Sequence, residues 1–106
     1  TWCGPCKREI PDFVALYEKY NEQGLEIIGV SVDRGRSISK VKPLCDQYKI
    51  NYPVLMEGTS TGMLYGGVSS IPTTFIINEE GRVLGRIMGA RPHQFFEQLI
   101  EKEMLK

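Results

Sequence analysis

The sequence predicts an α/β domain, a sheet of mixed direction flanked by helices, and three observations predict it. Thr1-Trp2-Cys3-Gly4-Pro5-Cys6 runs directly into an amphipathic helical stretch. Residues 25–32 (LEIIGVSV) form a β-branched run with little polar alternation, the pattern of a strand buried on both faces of a parallel sheet. Residues 73–88 read as an antiparallel hairpin appended to the alternating elements.

Each element has its own signal. Pro5 falls in the first turn of the opening helix, where its missing N–H removes no bond. Ile10, Phe13, Val14, Tyr17 and Tyr20 recur at three- and four-residue spacing and predict that helix's buried stripe. Pro11 is expected to kink it, and Gly24 to stop it after about Gln23. After the strand at 25–32 comes the loop Asp33-Arg34-Gly35-Arg36. Ser37 then caps a second helix reaching Tyr48, or Pro43 restarts that helix one turn later. Val41, Leu44, Cys45 and Tyr48 would face inward.

A short strand follows at 52–56, and one helical turn is expected around Met63-Leu64-Tyr65 within the Gly-, Thr- and Ser-rich stretch 58–67. Thr73-Thr74-Phe75-Ile76-Ile77 is a strand, 78–81 the hairpin loop and 82–88 the return. Pro92 opens the last helix, with Phe95, Phe96, Leu99, Ile100 and Met104 on its apolar side.

At 106 residues the chain makes one domain, residues 1–106. Its 13 Lys and Arg balance 13 Asp and Glu, so no basic excess exists to neutralise phosphates. That argues against nucleic-acid partners and anionic membranes. No apolar run approaches a membrane span. The chain starts at Thr1 without an initiator Met, so an upstream segment is expected, with room for a membrane anchor.

Three cysteines are too few for a disulfide scaffold. Cys3 and Cys6 sit one helical turn apart, close enough for their sulfurs to bond with little backbone movement. The partial positive charge of a helix N-terminus favours a thiolate at Cys3, the form that attacks disulfides. Cys3 is therefore expected as the exposed attacking group and Cys6 as the resolving one. Gly4 and Pro5 hold the turn between them, and Trp2 offers contact surface beside the sulfurs.

Glu9 lies about 60° around the helix from Cys6 and one turn along, at the edge of the buried stripe. Lost solvation there should raise its pKa, which fits a proton acceptor for Cys6. A solvated glutamate paired with a neighbouring cation is the other reading. Cys45 is expected as a small buried hydrophobe, His93 as a surface residue and the four methionines as gap-fillers. Half of a zinc site is an alternative for Cys3 and Cys6, but only Cys45 and His93 remain as further Cys or His ligands.

The chain resembles the thioredoxin fold and, within it, the TlpA/ResA-like thiol–disulfide oxidoreductases. The residues that carry the resemblance are Trp2-Cys3-Gly4-Pro5-Cys6, Glu9-Ile10-Pro11, Gly29-Val30-Ser31-Val32-Asp33, Tyr52-Pro53-Val54, the segment from Ile71 and Pro72 to Ile77, and Gly81. It covers nearly the whole chain. One departure stands out: the family's central strand, leading into the CxxC helix, has no counterpart here. A slot is therefore expected between 25–32 and 73–77, and the chain reads as an N-terminally truncated fragment.

The resemblance implies a dithiol that reduces disulfides in client proteins, on the reducing side of the scale where thioredoxin stands at about −270 mV. It implies no metal and no organic cofactor beyond the Cys3–Cys6 pair. It places a functional glutamate at Glu9 and a cis proline at Pro72 facing the CxxC, with Ile71 offering backbone groups to the client as an added strand would. It also implies an upstream redox protein as electron donor and an extracytoplasmic setting, with apocytochrome c among possible clients. A cytoplasmic setting stays open. Two rivals stand beside this reading. One is a copper or zinc carrier using Cys3, Cys6 and His93. The other is a peroxiredoxin relative, whose chemistry wants a threonine three positions before its reactive cysteine, upstream of Thr1.

Overall fold

A computed structural model describes residues 1–57 and 68–104. Helix α1 spans Gly4–Tyr20, α2 Val41–Gln47 and α3 His93–Met104. Strands are β1, Gly29–Ser31; β2, Val54–Met56; β3, Thr73–Ile77; and β4, Val83–Met88. The turn expected around Met63 to Tyr65 lies outside the described residues.

Helix α1 begins on Cys3, whose extended backbone and side chain cap it, with Pro5 in the first turn. It runs through Pro11 and tightens after Tyr20 into a 3₁₀ turn, Asn21–Gln23. Gly24 at φ 109° takes the left-handed conformation that ends such helices.

The helix is covered from two sides, which widens its buried face beyond a single stripe. Leu16, Tyr20 and Phe96 are buried together, with Phe13, Leu25, Ile87, Ile100 and Met104 packed around them. Phe13 and Phe96 meet with ring centroids 4.9 Å apart. On the other side, Tyr17 meets Tyr52 edge-on at 6.0 Å, and Asn51 donates to the Val14 carbonyl at 3.2 Å. The expected stripe thus divides between two partners. Leu16, wholly buried, falls outside the residues that the spacing picked.

The strands form two separate ladders. β1 pairs with β2 in parallel, Val30 opposite Leu55. β3 pairs with β4 antiparallel, Thr73 opposite Met88, with a bulge at Ile76/Ile77. Among the described residues no ladder joins β1 to β3, where the sequence leads one to expect a slot.

Residues 25–32 do not make a strand buried on both faces. Only Gly29–Ser31 enter the ladder, and Ile28, Val30 and Leu55 are about half exposed. The physical reason is coverage. A parallel strand is buried on both faces only inside a sheet with layers above and below. β1 has one partner strand among the described residues, and Val30 and Leu55 share the uncovered face. Gly29 eases the close approach of β1 to the chain before β2. A Cβ there would stand 3.2 Å from the Tyr52 ring.

Helix α2 is shorter than expected. Gly35–Lys40 are 3₁₀, and the α-helix starts at Val41 with Pro43 in its first turn, as the restart reading has it. Cys45 is a free thiol and half-buried, a shallower place than the core position expected. Phe95 also departs from expectation: it is 39% exposed and packs edge-on to Phe96.

Candidate active site

Cys3 and Cys6 form a disulfide with their α-carbons 5.3 Å apart. The Cys3 sulfur also accepts the backbone N–H of Cys6 at 3.2 Å. The two sulfurs thus bond across one helical turn, as their spacing allows, but Cys3 is not placed as expected. Cys3 is 7% exposed, not an open thiol at the helix end, whereas Cys6 is half-buried. As N-cap, Cys3 folds its sulfur back over the helix end to meet the Cys6 amide, and that posture hides it.

Trp2 stands beside the pair, 64% exposed. It lines an open cleft of about 310 Å³ together with Ile71, Val32, Val68 and the Arg34–Glu57 ion pair. The cleft brings the residue before Cys3 and the residue before Pro72 to one place, though they lie 69 positions apart. The Ile71–Pro72 bond is cis. The Pro72 carbonyl accepts the Gly89 N–H at 2.8 Å, and the Thr73 hydroxyl donates to the Ser70 carbonyl.

Glu9 is buried, 4% exposed, one turn beyond Cys6 on α1. Its Oε2 accepts the backbone N–H of Arg91 at 2.8 Å. Burial raises its pKa above the ordinary carboxylate value. The Arg91 N–H opposes that rise, the nearby Asp12 charge adds to it, and the Arg91 charge opposes it. The solvated reading of Glu9 is thereby set aside.

Two residues of this region escaped sequence reasoning. Asp33 is buried just beyond β1. It accepts from the Thr1 hydroxyl at 2.5 Å and the Ser31 hydroxyl at 2.6 Å. An Asp at the carboxyl end of a parallel strand, where open α/β sheets put their ligand sites, was the available signal. Arg91 is the other residue, and it offered no signal, because it reaches Glu9 through its backbone.

His93 lies away from any metal-like grouping. Among the described residues no cluster of three or more His, Cys, Asp or Glu is placed to hold a metal. His93 is partly exposed and stands between two carboxylates, Asp12 at 3.5 Å and Glu97 at 3.3 Å. Glu97 also accepts from Lys19 at 2.5 Å and from the Tyr20 hydroxyl at 2.8 Å, so a polar seam joins α1 to α3 beside the core.

Lys19, then Tyr20, hold the Glu97 pKa down to about 2 against an ordinary 4.5. A lowered folded-state pKa contributes stability that is whole above 4.5 and lost as pH falls toward 2. Unfolding of the wild type and of Glu97→Gln in urea from pH 6 to pH 2 should therefore show an advantage of the wild type that fades across that window. A constant difference would mean that the seam does not act through Glu97's charge.

Comparison with known proteins follows the same lines. The model of the AhpC/TSA family matches residues 1–85. The chain belongs to the AhpC/TSA family. Within reach of this AhpC/TSA chain are the thiol-disulfide oxidoreductase ResA of Bacillus cereus (strain ATCC 10987), 34% identical over 96% of the chain, and that of Bacillus subtilis, 38% identical over 84%. The chain spans 58% and 49% of the length of those two relatives.

Among solved structures, a Chlorobium tepidum protein provisionally assigned as the thiol:disulfide interchange protein DsbE superposes with a TM-score of 0.86. It is 29% identical, and the match covers 97% of this chain and 73% of that one. A thioredoxin-like protein solved in its oxidised form gives a TM-score of 0.83 at 17% identity, over 99% of this chain and 72% of that one. The fold of this AhpC/TSA member is thioredoxin-like.

Proposed function

We propose that this chain carries the redox centre of a thiol–disulfide oxidoreductase that reduces disulfides in client proteins. One observation carries the reading: a Cys3–Cys6 disulfide at a helix N-terminus, whose chain neighbour Trp2 lines one cleft with Ile71 of the cis Ile71–Pro72 bond. The relatives named ResA thiol-disulfide oxidoreductase support it.

In the reduced state the helix end and the Cys6 N–H favour a Cys3 thiolate. That thiolate attacks one sulfur of a client disulfide. A mixed disulfide forms, and the client's other sulfur leaves as a thiolate and takes a proton from water. Glu9 then accepts the Cys6 proton. The Cys6 sulfur attacks Cys3, the Cys3–client bond breaks, and the second client thiolate departs. Two electrons have passed to the client, and the Cys3–Cys6 disulfide has returned.

A dithiol protein upstream restores the starting state by the reverse exchange. Sulfur alone carries the electrons, so the reaction calls for no metal or organic cofactor. Trp2, Gly4, Pro5, Ile71 and Pro72 make the client-facing surface, with the Ile71 backbone receiving an extended client segment. The setting is extracytoplasmic, and apocytochromes c belong to the client class. Among the described residues no helix is long and apolar enough to cross a membrane.

The reading is tested on the full-length protein by reduction of insulin disulfides, beside a zinc and a copper(I) titration at pH 7. Catalysed reduction without stoichiometric metal binding is the expected result. Tight metal binding without reduction overturns it. Glu9→Gln tests the proton step. The rate of Cys6-dependent resolution should fall about 100-fold or more near neutral pH and lose its dependence on an acidic group, the scale of a removed general base. An unchanged pH profile would leave Glu9 with no part in the chemistry.

A further inference from the structure

We propose that the turn at residues 89–91, braced by the Arg91 guanidinium, is a positioning device that fixes Glu9 and the cis-proline segment in one frame. The inference rests on the exchange mechanism above, in which Glu9 moves a proton and Ile71–Pro72 faces the client.

Two backbone amides two residues apart serve opposite parts of the site. Arg91 N–H donates to Glu9 Oε2 and Gly89 N–H to the Pro72 carbonyl, each at 2.8 Å. One turn therefore ties α1 to the lead-in of β3. Gly89 has φ 88°, the left-handed conformation that glycine adopts without steric cost. The Arg91 side chain closes that turn on itself. Its Nη1 donates to the carbonyls of Met88 at 3.2 Å and Ala90 at 3.1 Å, one on each side of Gly89. The guanidinium also rests 5.9 Å from the centre of the Phe95 ring, which anchors the turn to α3.

The choice of donor matters chemically. A guanidinium paired directly with Glu9 would hold that carboxylate ionised through the neutral range. Here the guanidinium spends its hydrogen bonds on two carbonyls, and the carboxylate receives a neutral backbone N–H instead. That bond fixes the carboxylate's orientation while burial still raises its proton affinity. Asp12 and Arg91 are the charged groups acting on it. Arg91 is thus a positioning residue. It acts through its backbone and its own turn, and it touches no reacting sulfur in this mechanism.

The test is Arg91→Met, which keeps an aliphatic stem against Phe95 and removes the guanidinium; Arg36→Met, an exposed cation in the 3₁₀ segment, serves as control. In the full-length oxidised protein, amide hydrogen exchange at Gly89 and at residue 91 should accelerate together by about tenfold or more in Arg91→Met and stay put in Arg36→Met. The Glu9 carboxyl, followed by carbon-13 NMR, should titrate at higher pH in Arg91→Met, because both influences that lower it are weakened.

Unchanged exchange at either amide, or acceleration at only one, overturns the proposal. Should Arg91→Met fail to fold, the wild type decides. Both amides must then exchange at least about 100-fold slower than an open chain, and at similar rates. A Glu9→Gln variant with an unchanged pH profile would sink the proton step, while the two amides would still decide the turn.

Discussion

Cys6→Ser is expected to abolish turnover in insulin reduction, a loss of about 10³-fold or more, the scale on which a covalent participant is lost. It should also accumulate a mixed disulfide between Cys3 and the client. Nothing remains in that variant to attack the Cys3–client bond, so the reaction stops after its first exchange. Cys3→Ser is expected to be equally inactive but to trap nothing. The asymmetry is the informative part.

The two sulfurs occupy different places. Cys3 caps α1 and accepts the Cys6 N–H, whereas Cys6 sits one turn inside. A helix N-terminus stabilises negative charge at its first residues. The burial of Cys3 makes the prediction sharper, because a residue only 7% exposed must be uncovered before a client sulfur can reach it. Mass spectrometry of each variant after incubation with an oxidised client peptide checks it. Trapping by Cys3→Ser, and none by Cys6→Ser, would reverse the two roles.

Leu16→Ala should destabilise the protein by about 2–5 kcal/mol, the range for deleting a buried leucine. Leu16 has no exposed surface, and it packs where α1, α3 and β4 converge among Tyr20, Phe96, Phe13 and Ile87. Single domains of this size hold only about 5–15 kcal/mol in total, so this one change removes a large share. Urea unfolding of the full-length protein measures it. Ile38→Thr, half exposed in the 3₁₀ segment, is the comparison and should stay within about 0.5 kcal/mol. A loss below about 1 kcal/mol for Leu16→Ala would mean that the α1–α3 interface is not the main core.

The sequence was most legible where a feature depended on local spacing. Cys3 and Cys6 had to meet because one helical turn separates them, and Glu9 had to approach the buried side because of its angle around α1. Pro72 could be recognised only in company with the CxxC, through the family resemblance. What stayed hidden depended on coverage or on backbone groups. The inward pattern of residues 25–32 assumed layers on both faces, yet Ile28 and Val30 stand open. The stripe on α1 assumed one partner, and two partners buried Leu16 as well. Cys3 was expected outside because reactive thiols need access, and capping geometry turned it inward. Arg91 was invisible because any residue but proline carries the N–H that Glu9 uses.

One helix carries both the chemistry and the anchorage, and it separates them along its length. The sulfurs occupy the mouth of α1, while Leu16 and Tyr20 secure its tail against α3. Leu16 stands thirteen residue steps along the chain from Cys3, about 20 Å at 1.5 Å per residue. Substitutions that far apart contribute almost independently. The opening turn is thereby insulated: evolution, or an engineer, can retune the couple there without drawing down the reserve that keeps the chain folded.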